Sequence, residues 1–379
     1  LKKLLCWTLA AFALTRAPIV LAGFPIPPAP AFQAKSWVLL DSRTGQVLAE
    51  SHEDRHLAPA SLTKLMVAYI TFTALHSGAI HLNERFTIST AAWRTGGSRM
   101  FLLPGSQVTV NDLLKGLIVD SGNDAAVALS QAIAGTRGSM VGLMNRYARK
   151  LGLRNTHYED VDGLPAPDHY STALDIARLS RAIIRQYPSL YHRYFAIKTF
   201  TWDHITQDNR VSLLWMDPWV DGLKTGYTQQ AGFCMDASGH QDGMRLIAVV
   251  MGAPSWNARV NDAQALLNWG FGFFHDHRLY GAKQPLARIP VWMGAHDRVK
   301  VGLFRSLWVT VPRLDYHSLR IRMQLAKSLT APFDTKFAVG TLRVMLHGRL
   351  LVARTLHPLQ AVKKGSWFHR LIDSIEQAF

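Results

Sequence analysis

The sequence predicts an α/β (α+β) domain, then a small β-sandwich domain, then a short amphipathic helix. Three observations lead there. Upstream of about residue 275, helical and strand patterns alternate and Ala and Gly are frequent. Downstream, residues 289–293, 307–311, 319–323, 340–346 and 350–355 are short, strand-like and separated by turn signals. At the end, Trp367, Phe368, Leu371, Ile372, Ile375 and Phe379 recur at helical spacing, with His369, Arg370, Asp373, Ser374, Glu376 and Gln377 opposite them. The 379 residues divide accordingly: 1–22 a leader, 32–275 the first domain, 276–360 the second, and 361–379 the terminal helix.

The leader begins with Lys2 and Lys3, followed by an apolar stretch from Leu4 to Ala22 that Arg16 and Pro18 interrupt. That is the order of an export signal. Val20-Leu21-Ala22 offers a cleavage site, and Ala29-Pro30-Ala31 a later one, as far as residue 31. Arg16 leaves the clean apolar run too short for a membrane span. Cys6 departs with the leader and Cys234 stays alone, so no internal disulfide is expected. The formal net charge of +16 suits anionic partners. For an exported chain these are anionic lipid headgroups and the acidic peptides and polymers of a cell wall. No Arg/aromatic nucleic-acid motif is present, so no nucleic-acid partner is expected.

Within the first domain, residues 37–40 and 47–50 flank the turn Ser42-Arg43-Thr44-Gly45 and read as a β-hairpin. Residues 60–76 read as an apolar helix ended by Gly78, with Ser61 at its N-terminus. Residues 110–119 and 124–134 read as helices joined by the turn Ser121-Gly122-Asn123. Lys224-Thr225-Gly226 is expected to open a strand that runs on through Gly232-Phe233-Cys234-Met235. Residues 245–251 read as a buried strand and 257–274 as the last long helix. The terminal helix follows Lys363, Lys364 and Gly365. It could dock on its own domain, but its end position and two leading aromatics favour a membrane interface.

Three short motifs carry chemistry: Ser61-Leu62-Thr63-Lys64, Ser121-Gly122-Asn123 and Lys224-Thr225-Gly226. Ser61 at a helix start lies near unpaired backbone N–H groups that would receive an oxyanion. Lys64, one turn on, shares its face and can act as base if burial and a second cation lower its pKa. Lys224 is the expected second cation. Ser121 is assigned a proton relay and Asn123 a hydrogen bond to a substrate amide. Lys224 and Thr225 would hold a carboxylate, and Gly226 would let an extended substrate approach the strand edge.

Two histidine clusters are weaker signals. His52-Glu53-Asp54-Arg55-His56 matches H-E-x-x-H, but it follows a strand and meets Pro59, so the imidazoles would not share a helix face. It reads as a solvated loop, and no metal is expected. His275-Asp276-His277 reads as surface.

Together the three motifs are the active-site set of serine enzymes that react with penicillin. The chain resembles the low-molecular-mass penicillin-binding proteins that act as D-alanyl-D-alanine carboxypeptidases. The likeness is carried by these motifs and by Asp41-Ser42-Arg43-Thr44-Gly45-Gln46, Ala58-Pro59-Ala60, Asp124-Ala125, Val220-Asp221-Gly222-Leu223 and residues 266–274. The resemblance implies a penicillin-recognising, β-lactamase-like catalytic domain, a β-rich second domain and a C-terminal membrane anchor. It implies an enzyme, without metal or cofactor, that removes the terminal D-alanine from peptidoglycan stem pentapeptides through an acyl-serine. β-Lactam antibiotics would be covalent inhibitors. The place would be the periplasmic side of a bacterial inner membrane.

By the same resemblance Ser61 carries the acyl group, Lys64 is the base, and Ser121 relays the proton. Lys224 and Thr225 bind the terminal carboxylate with help from Arg259. Backbone N–H groups of Ser61 and Tyr227 form the oxyanion hole. The family's carboxypeptidases carry His after K-T-G, where this chain has Tyr227. A class A β-lactamase shares the motifs but adds a deacylating loop Glu, and the acids of residues 158–164 resemble the carboxypeptidases' own loop. A cross-link endopeptidase more often lacks the β domain and anchor. A non-catalytic wall-binding protein would not need the intact Ser61/Lys64/Ser121/Lys224 set.

Overall fold

A computed structural model describes residues 26–367. The expected export leader up to residue 22, and the part of the expected terminal helix beyond Trp367, lie outside the described residues.

The first domain is built on a five-stranded antiparallel sheet. From one edge to the other its strands are Val47–Ser51, Ser36–Asp41, Met244–Ala253, Gly232–Gln241 and Val220–Thr228. Successive side chains point to opposite faces of a strand, and here both faces are covered. Val38, Leu40, Ile247, Val249 and Met251 belong to one core, while Trp37, Leu39, Leu246, Ala248 and Val250 belong to the other. The continuous apolar runs of the two central strands follow from that double burial.

The larger core lies under a helical lobe. Its centre is the Lys64–His76 helix, buried from Lys64 through Phe72. A helix apolar on every side belongs in the interior. Val110–Ile118, Asn123–Ala134, Arg137–Leu151 and Ala173–Gln186 pack around it. Thr109, Thr136 and Thr172 start three of them, each side chain accepting a backbone N–H of the first turn. The Trp256–Phe273 helix, capped by Ser255, covers the other face. Ile26, Ala29 and Phe32 pack against that lower core, and Trp269 Nε1 donates to the Pro27 carbonyl at 3.0 Å. The proline-rich stretch set aside as leader is therefore partly seated on the domain.

The sequence placed the K-T-G motif at the start of a strand. It lies instead in the second half of Val220–Thr228, and residues 232–235 begin the next strand. The two form a hairpin with Tyr227 opposite Phe233. Lys224-Thr225-Gly226 thus stands on an edge strand, with one side free of other strands.

The second domain is β-rich. Phe274–Tyr280 pairs with Leu307–Pro312. A six-stranded sheet runs Leu319–Leu325, Gly340–Leu346, Arg349–Pro358, Arg298–Gly302, Pro285–Trp292 and Leu329–Thr330. Both sheets contribute to one apolar core, from Ile289 and Val309 through Val344 to Leu356.

His275-Asp276-His277 is not the surface segment expected. It sits in the first strand of the second domain, with Asp276 buried. Thr310 Oγ1 donates to Asp276 Oδ1 at 2.8 Å and lies 2.8 Å from Thr44 Oγ1, which bonds Asp41. Arg43 pairs with Asp276 at 3.3 Å and lies over the Trp308 ring. The 42–45 turn of the first domain is therefore keyed into the second by a chain of hydroxyls between two carboxyls.

Candidate active site

Ser61 lies in a single 3-10 turn, Ala60–Thr63, that runs directly into the Lys64–His76 helix. Its neighbours press closely on that turn. Gly163, at φ +88°, passes so near that a Cβ there would sit 1.9 Å from the Ala60 carbonyl oxygen. From the other side comes Gly226, where a Cβ would meet Ala60 Cβ at 3.1 Å and Ser61 N at 3.2 Å. The glycine of K-T-G was expected to make room for a substrate. What it makes room for here is the turn that carries Ser61.

Lys64 Nζ donates to Ser61 Oγ at 2.9 Å and to the Asp162 carbonyl at 2.7 Å. Lys64 is 1% exposed. Burial pushes it down to about 8 against the pull of Asp162 and Asp160, and the cation that lowers it further is Arg210. Lys224, expected as a second cation beside Lys64, is itself held well below its ordinary value by burial first, then by Lys64, Arg210 and Arg259, and its repulsion with Lys64 is mutual.

Ser121 is buried with φ +59°, and Gly122 follows. A Cβ at Gly122 would meet Asp124 Oδ1 at 2.7 Å, so the turn needs its glycine. Asp124 accepts the backbone N–H groups of Met100 and Leu102 at 3.0 and 3.1 Å. Asn123 Nδ2 donates to the Gly96 carbonyl at 2.6 Å. The Asn123 amide thus already holds the 96–102 loop, a tie that the sequence did not show. Asp120, just before Ser121, is pushed up to about 7 by burial and by Asp124, and its carbonyl accepts Arg210 Nε at 3.3 Å.

Arg259 is buried on the Trp256–Phe273 helix. Its Nη1 donates to the Gly226 carbonyl at 3.1 Å and the Cys234 carbonyl at 3.4 Å. It lies over the Phe233 ring, on which the half-exposed Tyr227 ring packs at 4.4 Å. Arg259 therefore braces the K-T-G backbone. Its Nε is buried without a protein partner among the described residues. It also lines a cavity of about 480 Å³ together with Arg210, Ser212, Trp215 and Trp256.

The family model described as D-alanyl-D-alanine carboxypeptidase matches residues 25–255, and that of the penicillin-binding protein 5 C-terminal domain matches 274–364. The chain belongs to the D-alanyl-D-alanine carboxypeptidase family. D-alanyl-D-alanine carboxypeptidase DacC of Escherichia coli K12 is 40% identical over 98% of this chain and 94% of its own length. DacA of the same organism is 40% identical over 93% and 90%. Penicillin-binding protein 5 of Haemophilus influenzae superposes with a TM-score of 0.86 at 37% identity, covering 90% of this chain and all of that one.

Within the family site, four contributors carry no motif signature. Arg210 and Asp120 act by proximity. Asp162 serves through its carbonyl, while its carboxylate pairs with Arg137 at 3.4 Å. His169 lies 2.8 Å from Thr63 Oγ1 through Nε2, and its Nδ1 accepts the N–H groups of Glu159 and Asp160. That fixes the proton on Nε2, the donor to Thr63, and burial holds the ring down to about 4, so it stays neutral. In that loop Asp160 accepts the N–H groups of Asp162 and Gly163, and Asp162 accepts that of Leu164 beside its pair with Arg137. His56 of the H-E-x-x-H stretch stacks on Tyr170 at 4.3 Å.

Proposed function

We propose that Ser61 attacks the carbonyl of a terminal D-alanyl-D-alanine peptide, with neutral Lys64 taking the hydroxyl proton. The supporting observation is the 2.9 Å contact between the Nζ of the buried Lys64 and Ser61 Oγ. The tetrahedral oxyanion would be met by the backbone N–H groups of Ser61 and Tyr227. Lys224 and Thr225 would take the substrate's terminal carboxylate, whose charge favours the protonated form that burial disfavours in Lys224. Ser121 would return the proton to the leaving amine. D-alanine departs, and water then hydrolyses the acyl-serine. β-Lactams would acylate the same Ser61.

We further infer the division into a leader of 1–22, a catalytic unit of 32–275, a β-sandwich from 276 and a membrane-anchoring helix. Residues 361–365, expected in that helix, instead bridge to Gly294 and Phe333 and place Val362 in the second domain's core, so the proposed helix begins after them. The packing of Ile26 and Ala29 favours cleavage after Ala22 over cleavage after Ala31. Among the described residues no helix is long and apolar enough to cross a membrane. The proposed site of action is the periplasmic face of the inner membrane, on stem pentapeptides. Deleting residues 366–379 should free the protein from membranes with activity intact; unchanged retention refutes the anchor.

Intact mass after mixing with a penicillin tests the chemistry. The expected result is one adduct per chain, absent in Ser61→Ala, with D-alanine released from a pentapeptide. Absence of any adduct overturns the reading, and rapid drug loss without an adduct indicates a β-lactamase.

A further inference from the structure

The edge of the sheet farthest from K-T-G borders a second cavity, of about 680 Å³. It lies between the 44–47 hairpin, two helices and the second domain. Its charged lining residues are Lys150, Arg178, Arg181, Arg185 and Arg305, and no carboxylate lines it. Arg178, Arg181 and Arg185 fall on one face of the Ala173–Gln186 helix, at i, i+3 and i+7. Arg305 comes from the loop between Arg298–Gly302 and Leu307–Pro312 in the second domain.

Ordinary structural roles account for part of this cluster. Lys150 and Arg185 stand in the last turns of their helices, where a cation complements the helix dipole. Arg178 is paired with Asp175 at 2.9 Å. Arg181 spends Nε and Nη2 on the carbonyls of Ser42 and Arg43, at 2.8 and 3.0 Å. It lies so close under the turn that a Cβ at Gly45, φ +78°, would meet it at 3.1 Å. Lys150, Arg181, Arg185 and Arg305 make no ion pair among the described residues. Asp175 offsets the charge of Arg178, and Arg185 Nη1 donates to the Arg43 carbonyl at 3.2 Å, but the remaining cations face the cavity without a carboxylate among its lining residues.

We propose that this cavity is an anion site for a phosphate-bearing group, held between the two domains by Arg178, Arg185 and Arg305. Guanidinium forks match the tetrahedral oxygens of phosphate, and the concavity separates this site from scattered surface charge. The group is either a soluble phosphate or the headgroup of an anionic lipid. In both cases it ties the second domain to the catalytic one at a place remote from Ser61, and its occupancy does not depend on the acylation chemistry.

The test uses the full chain, wild type, Arg178→Gln, Arg305→Gln and the double variant. Penicillin acylation at the wild-type rate reports an intact fold. Calorimetric titration with inorganic pyrophosphate at low salt should show one saturable site. Each single change should weaken it about tenfold, and the double change should abolish it. Flotation with phosphatidylcholine vesicles, with and without phosphatidylglycerol, separates the sources. Binding lost in the double variant with vesicles alone identifies a lipid headgroup, and with pyrophosphate alone a soluble phosphate. Saturation by neither probe, or binding that the double variant leaves unchanged, overturns the proposal.

Discussion

Lys64 Nζ donates to Ser61 Oγ across 2.9 Å, from an amine almost wholly removed from water. Replacing Lys64 by Ala should slow acylation by penicillin roughly a thousandfold, the scale of a lost general base. The melting temperature should not fall, because the change also removes a buried amine. Stopped-flow acylation beside thermal unfolding checks both. A normal acylation rate would show that another group takes the proton.

The pH profile follows from the same amine. Burial holds Lys64 down to about 8, and only the neutral form can accept a proton. The acylation rate constant should therefore rise with pH and level off above about 8. A profile flat from pH 6 to 9 would contradict a lysine base.

Lys224 carries a second, opposite expectation. Its amine is held well below its ordinary value in the free protein. A carboxylate ligand beside it favours the charged form, so binding should take up protons. Calorimetry in buffers of different ionisation enthalpy measures this. Uptake should vanish in Lys224→Met.

Gly163 and Gly135 make a matched pair, both at positive φ. At Gly135 a Cβ would meet nothing within 4 Å, so Ala there should cost only the conformational strain of about 1–2 kcal/mol. At Gly163 the Cβ would collide with the Ala60 carbonyl. Gly163→Ala should cost about 3 kcal/mol or more and displace the Ser61 turn. Denaturant unfolding and acylation rates together distinguish the two; equal effects would refute the close seating of the 158–164 loop.

Asp276 ties stability to pH at the domain junction. Burial and then the Asp41 carboxyl push it up to about 6, while Thr310 and Arg43 pull the other way. With a folded pKa above the unfolded value near 4, its contribution is complete below pH 4 and is lost as pH rises through about 6. Thermal stability should thus show a downward component between pH 4 and 7 that is absent in Asp276→Asn. An unchanged slope would place the titration elsewhere.

Much of this was legible in the order of residues. The hairpin around Gly45 and the strands of the second domain announced themselves through period-two alternation and turn residues. Ser61 and Lys64 could be paired because i and i+3 share a helix face whatever the rest of the chain does. Their 2.9 Å contact follows for the same local reason. Three separate motifs in a fitting order left few alternatives for the family.

The remainder depended on folding. No spacing rule brings Arg210 to Lys64, gives Asp162 the carbonyl that holds its amine, or turns Gly226 against the Ser61 turn. Asp276 looked like surface because its strand is short and polar, yet it is buried by a partner hairpin more than two hundred residues earlier. The sequence by itself determined the family, through three motifs in order, and the hairpin, the helix after Ser61 and several strands, since those follow from local periodicity and chemistry. Only the tertiary structure decided their surroundings: which amines burial disfavours as cations, which arginine braces a backbone carbonyl, and where cations gather around one cavity. Desolvation and charge act through space, and the contacts that set them join residues far apart in the chain.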